Sequence, residues 1–234
     1  FSPSLVRSSL EGWSNSSAWP SWSFSNHDVV RARTRWGGPQ AGDDFARLLL
    51  GVLMCLRGTI FLYQGEELGL PQAEVPFNRL RDPEGIRFWP DSLGRDGCRT
   101  PMPWRAGAAN AGFSKAEPWL PVDPRHAALA VDAQEEDQGS TLNHARRFIE
   151  FRKRHEALRR GQIEFLDAPE PVLAFRRKGA RENLLCVFNL GAAPKSFPLP
   201  KGAGASLDYG LKGAIVNGAA ELPGFGGLVI AENA

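Results

Sequence analysis

The sequence predicts an α/β domain followed by a small antiparallel β domain. Three observations carry this. The first sixty residues read helix, strand, helix, strand, a spacing that suits βα units of a parallel sheet. Both of those strands end on polar clusters. From about residue 162 the apolar period changes to two, with Gly and Pro between short runs.

Residues 4–13 predict a short helix, with Leu5, Val6, Leu10 and Trp13 near one face and Ser4 placed to cap it. A turn-rich connection leads into Ser21-Trp-Ser-Phe24, where aromatic and serine side chains alternate as in a strand. That strand is expected to be buried. It runs out on Asn26-His27-Asp28. Reactive groups at strand ends are the layout of a (β/α)₈ enzyme. A second helix is predicted from about Asp43 to Arg57. Its two leading aspartates favour the positive end of the helix dipole, and Gly58 stops it. Thr59-Ile-Phe-Leu-Tyr63 is the next strand, ending on Gln64-Gly-Glu-Glu67.

Residues 69–140 hold few periodic segments. A loop this long is usually functional or carries small elements of its own. A helix is then predicted over 140–158, closed by Gly161. Strands follow near Ile163–Leu166, Val172–Arg177, Asn183–Asn189, Lys195–Leu199 and Gly227–Ala231. The domain boundary is placed at about 160, giving 1–160 and 161–234.

The composition narrows the function. The 234 residues are 42% hydrophobic and 23% charged, so a sizeable core can be buried. A formal charge of +2, with Arg outnumbering Lys and spread along the chain, gives no electrostatic footprint for nucleic acid or an anionic membrane. No apolar run approaches a membrane span, and no stretch reads as a secretory signal. The three widely spaced cysteines are neither a disulfide framework nor a zinc ligand set. They suit a reducing compartment; a cytoplasmic location is expected, and a periplasmic one is also compatible. No metal or cofactor is expected. The histidines outside the opening stretch, His126, His144 and His155, show no ligand spacing.

Phe24-Ser-Asn-His-Asp-Val-Val-Arg31 resembles the last signature region of the α-amylase superfamily, the family 13 glycoside hydrolases. Thr59-Ile-Phe-Leu-Tyr-Gln-Gly-Glu-Glu-Leu-Gly69 is similar to that family's eighth barrel strand. Gly94-Arg-Asp-Gly-Cys-Arg-Thr-Pro-Met-Pro-Trp104, Ala111-Gly-Phe-Ser114 and Glu117-Pro-Trp-Leu-Pro121 resemble loops of its α-glucosidase and oligo-1,6-glucosidase branch. The resemblance covers essentially the whole chain, with the motifs in order.

It implies the C-terminal part of a (β/α)₈ TIM barrel, about strands 7–8 and helices 6–8, followed by a β-sandwich. A complete barrel needs about 250 residues. The family's nucleophile, an Asp, and its general acid, a Glu, are expected upstream of Phe1. Nothing in this chain matches either, so the chain alone is expected to be inactive. A retaining glycosidase works through two carboxyl groups about 5 Å apart, plus groups that grip the sugar in the transition state. Carried over, Asp28 is the transition-state-stabilising carboxylate, and His27 and Asp28 hydrogen-bond the sugar of subsite −1. Arg95 matches an Arg that pairs with an upstream Asp and closes the glucose pocket, or else it serves as a loop ion pair. Arg99 and Asp96 are read as organising the loop, Glu66 as structural, and Arg31 as lining the rim or bracing Asp28. Phe113 and Trp89 are expected near the mouth, and Trp22, Phe24, Trp36, Trp104 and Trp119 in the core.

The function implied is retaining hydrolysis of terminal α-linked glucose. The partners are a small oligosaccharide or disaccharide and the upstream part of the same barrel. The alternatives are a catalytically retired structural homologue, or a sucrose hydrolase, isomerase or transglycosylase of the same family.

Overall fold

A computed structural model describes residues 1–13, 18–38 and 41–232. In chain order the elements begin with α1 (Pro3–Glu11), β1 (Ser21–Ser23), α2 (Ala32–Gly37), α3 (Asp43–Cys55) and β2 (Thr59–Phe61). Short helices follow: α4 (Pro83–Arg87), α5 (Pro124–Ala127) and α6 (Val131–Glu135). Then come α7 (Thr141–Arg154) and α8 (Glu156–Arg160). The strands of the C-terminal part are β3 (Gln162–Phe165), β4 (Val172–Lys178), β5 (Asn183–Asn189), β6 (Lys195–Pro198), β7 (Ala203–Leu207), β8 (Ala214–Val216), β9 (Ala219–Leu222) and β10 (Gly227–Glu232). By packing, the chain divides into one unit of Phe1–Trp22, Arg47–Phe61 and Ala145–Ala234, and another of Ser23–Ala46 and Leu62–His144.

In the first unit, β3-β4-β5-β10-β7 form one sheet and β6-β9-β8 another. Their pairings are antiparallel. Val172 and Ala174 of β4, Leu185 and Val187 of β5, and Leu228 and Ile230 of β10 pack with Phe197, Ala220 and Leu222 of the smaller sheet. One core therefore joins the two sheets. The opposite faces of β4 and β5 are covered as well, since Leu173, Phe175, Cys186 and Phe188 are fully buried. That double burial departs from the period of two expected here: Val172–Phe175 and Leu184–Phe188 are continuous apolar runs, covered on both faces.

Two arginines, Arg152 half-buried and Arg177 fully buried, tie the end of α3 into this unit. Arg152 donates from Nη1 to Met54 O (2.6 Å) and from Nη2 to Gly58 O (2.7 Å). Arg177 donates to Cys55 O (2.5 Å) and Gly161 O (2.9 Å). Together they satisfy carbonyls that a helix C-terminus leaves unpaired. Burial lowers the Arg177 guanidinium to about 10. Gly58 has φ 135°, and a side chain there would meet Pro20 O and Trp22 Nε1, each at 2.7 Å. The backbone conformation and the close approach both select glycine.

Several elements differ from expectation. The helix predicted over 140–158 breaks at His155, whose backbone is extended (φ −101°, ψ 112°). Glu182 accounts for the break: Oε2 meets His155 Nδ1 at 2.8 Å, and Oε1 accepts from Ala157 N at 3.1 Å, capping α8. The strand expected to be buried is three residues long, with Ser21 and Ser23 exposed and Trp22 half-buried. Only Phe24, just beyond it, is in the core. β1 has β2 alone as its hydrogen-bonded neighbour among the described residues, and Phe61 of β2 is 58% exposed. Strands β7, β8 and β9 were not expected; they are short and lie in a Gly/Ala-rich stretch.

In the second unit, Leu68, Leu70, Met102 and Leu142 form an apolar cluster. Gln134 crosslinks it, donating to Leu68 O and Leu129 O (both 2.9 Å) and accepting from Leu142 N (3.0 Å) at the start of α7. Residues 69–140 carry α4, α5, α6 and three single-turn 3₁₀ segments, the small elements expected of so long a loop.

Candidate active site

Every group of this site lies in the second unit. After β1, Phe24 packs edge-on against Trp36 (5.1 Å between centroids). The buried Ser25 Oγ accepts from Ala32 N (2.9 Å), closing the loop onto the start of α2. Asn26 Oδ1 accepts from Asp28 N (2.8 Å), a turn that Asn forms readily. Held this way, His27 and Asp28 point outward, with side chains 68% and 51% exposed.

The Asp28 carboxylate has a different partner on each oxygen. Oδ1 accepts from Arg99 Nη2 at 2.9 Å and lies 3.4 Å from Arg95 Nη1. Oδ2 lies 3.2 Å from His27 Nε2. Arg99 also donates from Nε to His27 O (2.7 Å), so one guanidinium fixes both residues.

Arg95 is held chiefly by Asp82. Nε donates to Asp82 Oδ2 (2.8 Å) and Nη2 to Oδ1 (3.0 Å), a two-pronged ion pair. These hydrogen bonds hold the Asp82 carboxyl far below the usual carboxylate range and push the Arg95 guanidinium further up. Asp82 also caps α4, accepting from Glu84 N (3.2 Å).

Asp96 is fully buried and accepts from Arg81 N (2.6 Å) and Asp82 N (2.9 Å), organising the loop as expected. Gly97 packs so closely that a side chain would come within 2.5 Å of Ala73 O. Glu66 accepts from Tyr63 N (2.9 Å), the structural role expected, and burial pushes its carboxyl up to about 7.

Three expectations are corrected. Arg31 neither lines the rim nor braces Asp28: it is 2% exposed and donates to Gln64 O (2.7 Å) and Cys98 O (3.2 Å). Its guanidinium lies over the Tyr63 ring, 5.4 Å from the centroid. Arg99 does more than organise its loop, since it binds the Asp28 side chain directly. Asp82 was not singled out at all. The only sequence signal was Asp82-Pro83, which reads as a helix start; its partner lies thirteen residues on. Phe113 and Trp89 are both exposed, as are Trp104 and Trp119, which were expected in the core. His126 is buried, meets Pro71 O at 2.8 Å and is lowered by burial to about 4, so it is neutral. Among the described residues no group of three His, Cys, Asp or Glu could hold a metal ion.

Asp28 thus presents an exposed carboxylate between two arginines and a histidine, on the loop that leaves β1. The α-amylase catalytic-domain family model matches residues 4–161, and the chain belongs to that family. It is 49% identical, over 186 residues, to a probable α-glucosidase of Rhizobium meliloti (strain 1021), covering 78% of this chain and 34% of that protein. It is 30% identical to probable oligo-1,6-glucosidase 2 of Bacillus subtilis (strain 168), covering 85% and 39%. Among solved structures it superposes on an α-glucosyl transfer enzyme, XgtA, with TM-score 0.95 and 46% identity, covering 100% of this chain and 44% of that one. An isomaltulose synthase from Klebsiella sp. LX3 gives TM-score 0.86 at 25% identity, with 98% and 46% covered. The chain thus contains part of a TIM barrel together with β sheets. It spans between a third and two fifths of the length of these curated relatives.

Proposed function

We propose that this chain is the C-terminal part of a retaining α-glucosidase that releases terminal α-linked glucose from oligosaccharides. In this reading residues 1–160 supply about strands 7–8 and helices 6–8 of the barrel, and 161–234 a β-sandwich domain. The end of the family match at residue 161 supports the division.

The observation that carries the reading is the Asp28 carboxylate, half-exposed, with arginine donors on one oxygen and His27 at the other. Such a carboxylate presents a fixed oxygen. It can accept hydrogen bonds from sugar hydroxyls beside the reacting carbon, and these strengthen as oxocarbenium character develops. His27 supplies a second polar handle on the same ring. Arg95 retains Nη1 for the pocket, its other edge being taken by Asp82. The nucleophile and the general acid belong to the barrel segment upstream of Phe1, and the substrate is gripped jointly with that segment. The 234 residues alone are therefore inactive. No metal or cofactor takes part, and the setting is cytoplasmic.

The test is an assay of this chain and of the full-length protein on an aryl α-glucoside. Turnover by the full-length protein and none by the chain alone is expected. Comparable turnover by the isolated chain, or none by the full-length protein, would overturn the reading. A second reading, glucosyl transfer to an acceptor other than water, is favoured by the 46% identity to an α-glucosyl transfer enzyme. The two share the first displacement and differ in what attacks the glycosyl-enzyme. Adding a sugar acceptor and looking for a transfer product separates them.

A further inference from the structure

Asp82 is used more heavily than a loop ion pair requires. Its side chain is completely buried. Oδ2 accepts from Arg95 N (2.7 Å) and Arg95 Nε (2.8 Å), and Oδ1 from Arg95 Nη2 (3.0 Å) and Glu84 N (3.2 Å). The loop between residues 82 and 95 is already closed without the guanidinium. Asp96, also buried, holds Arg81 N and Asp82 N, and Asp82 itself holds Arg95 N. What the fork on Nε and Nη2 adds is direction. A guanidinium is a rigid plane with five donors. With one edge fixed on Asp82, the remaining nitrogen, Nη1, faces Asp28 Oδ1 at 3.4 Å.

That distance matters. At 3.4 Å the positive charge acts on Asp28 without a short hydrogen bond. Arg99 Nη2 already occupies the same oxygen at 2.9 Å. A free Arg95 could turn its planar fork onto Asp28 and engage both carboxylate oxygens, as arginine does with carboxylates generally. Asp28 Oδ2 would then be lost to the sugar. We propose, on the glucosidase reading above, that Asp82 is a positioning residue. It aims Arg95 Nη1 at Asp28 and restrains Arg95 from closing onto it, which keeps Asp28 open to substrate.

The test compares wild type, Asp82→Asn, Arg95→Met and the double variant in the full-length protein, measuring kcat and KM on an aryl α-glucoside. Asn is as good an N-cap as Asp, so the bond from Glu84 N survives while the charge on the clamp is lost. Asp82→Asn is expected to lower kcat at least about tenfold, and the double variant to be no worse than Arg95→Met, because both changes act through one guanidinium. The thermal midpoint of Asp82→Asn should stay within about 4 °C of wild type. Multiplying losses in the double variant, or a kcat within twofold of wild type for Asp82→Asn, would overturn the proposal. So would a kcat loss matched by a collapse of the midpoint. If wild type itself does not turn over the glucoside, the glucosidase reading fails, and the arginine side-chain NMR spectrum decides the clamp separately. An Arg95 Nε–H signal protected from exchange in wild type and unprotected in Asp82→Asn supports it; equal protection in the two overturns it.

Discussion

Glu66 gives the sharpest prediction on stability. Its carboxyl is mostly buried, accepts from Tyr63 N at 2.9 Å, and is pushed up from 4.5 to about 7, chiefly by burial. The folded state therefore binds a proton more tightly than the unfolded state. Below about pH 4.5 both states are protonated and burial costs nothing. Between about 4.5 and 7 the folded state holds the extra proton, so stability falls as pH rises; above about 7 the full cost of the buried anion is present. At about 1.4 kcal/mol per pKa unit, that cost is about 3 kcal/mol. Gln keeps an oxygen for Tyr63 N and carries no charge. Glu66→Gln is expected to raise unfolding stability by about 2–3 kcal/mol at pH 8 and to leave it nearly unchanged at pH 4. Urea denaturation at both pH values measures this. A destabilised variant at pH 8, or equal shifts at both pH values, would refute the argument.

Three further outcomes follow from the fold and site. Gly58→Ala should destabilise the protein by more than about 1 kcal/mol, since alanine must adopt φ 135° with its Cβ against Pro20 O and Trp22 Nε1; a thermal midpoint equal to wild type would contradict this. Glu182→Ala should cost about 1 kcal/mol by removing the cap of α8, and hydrogen exchange at Ala157 should rise selectively. Arg99→Met in the full-length protein should reduce kcat by at least about tenfold, because the Asp28 carboxylate and the His27 carbonyl lose a shared donor; an unchanged kcat would return Arg99 to a purely loop-organising role.

The elements legible in the sequence are those whose periodicity reports their own burial. α3, with two leading aspartates and an apolar surface wider than a stripe, was readable because helix chemistry is local. So were β4 and β5, as apolar runs bounded by turn residues. β7 to β9 were not, because strands of three to five residues, β7 mostly Gly, Ala and Ser, are held by their neighbours and leave little pattern of their own. The break at His155 was hidden for a related reason: its cause is Glu182, a side chain from another turn. The site divides the same way. His27 and Asp28 stood out as a polar strand exit and through motif resemblance. Asp82, Arg99 and the burial of Arg31 could not be read, because each depends on which side chains meet across thirteen to about seventy residues. Arg31 looks like a surface arginine until the Gln64 and Cys98 carbonyls come together around it.

The most direct measurement is kcat of the full-length protein on an aryl α-glucoside with Asp28→Asn, alongside its thermal midpoint. Asn keeps the shape of a half-exposed side chain and removes the charge. A transition-state-stabilising carboxylate gives a fall in kcat of about a thousandfold or more, with KM and the midpoint little changed. A kcat within a few-fold of wild type would contradict the role assigned to Asp28 and, with it, the glucosidase account of this chain.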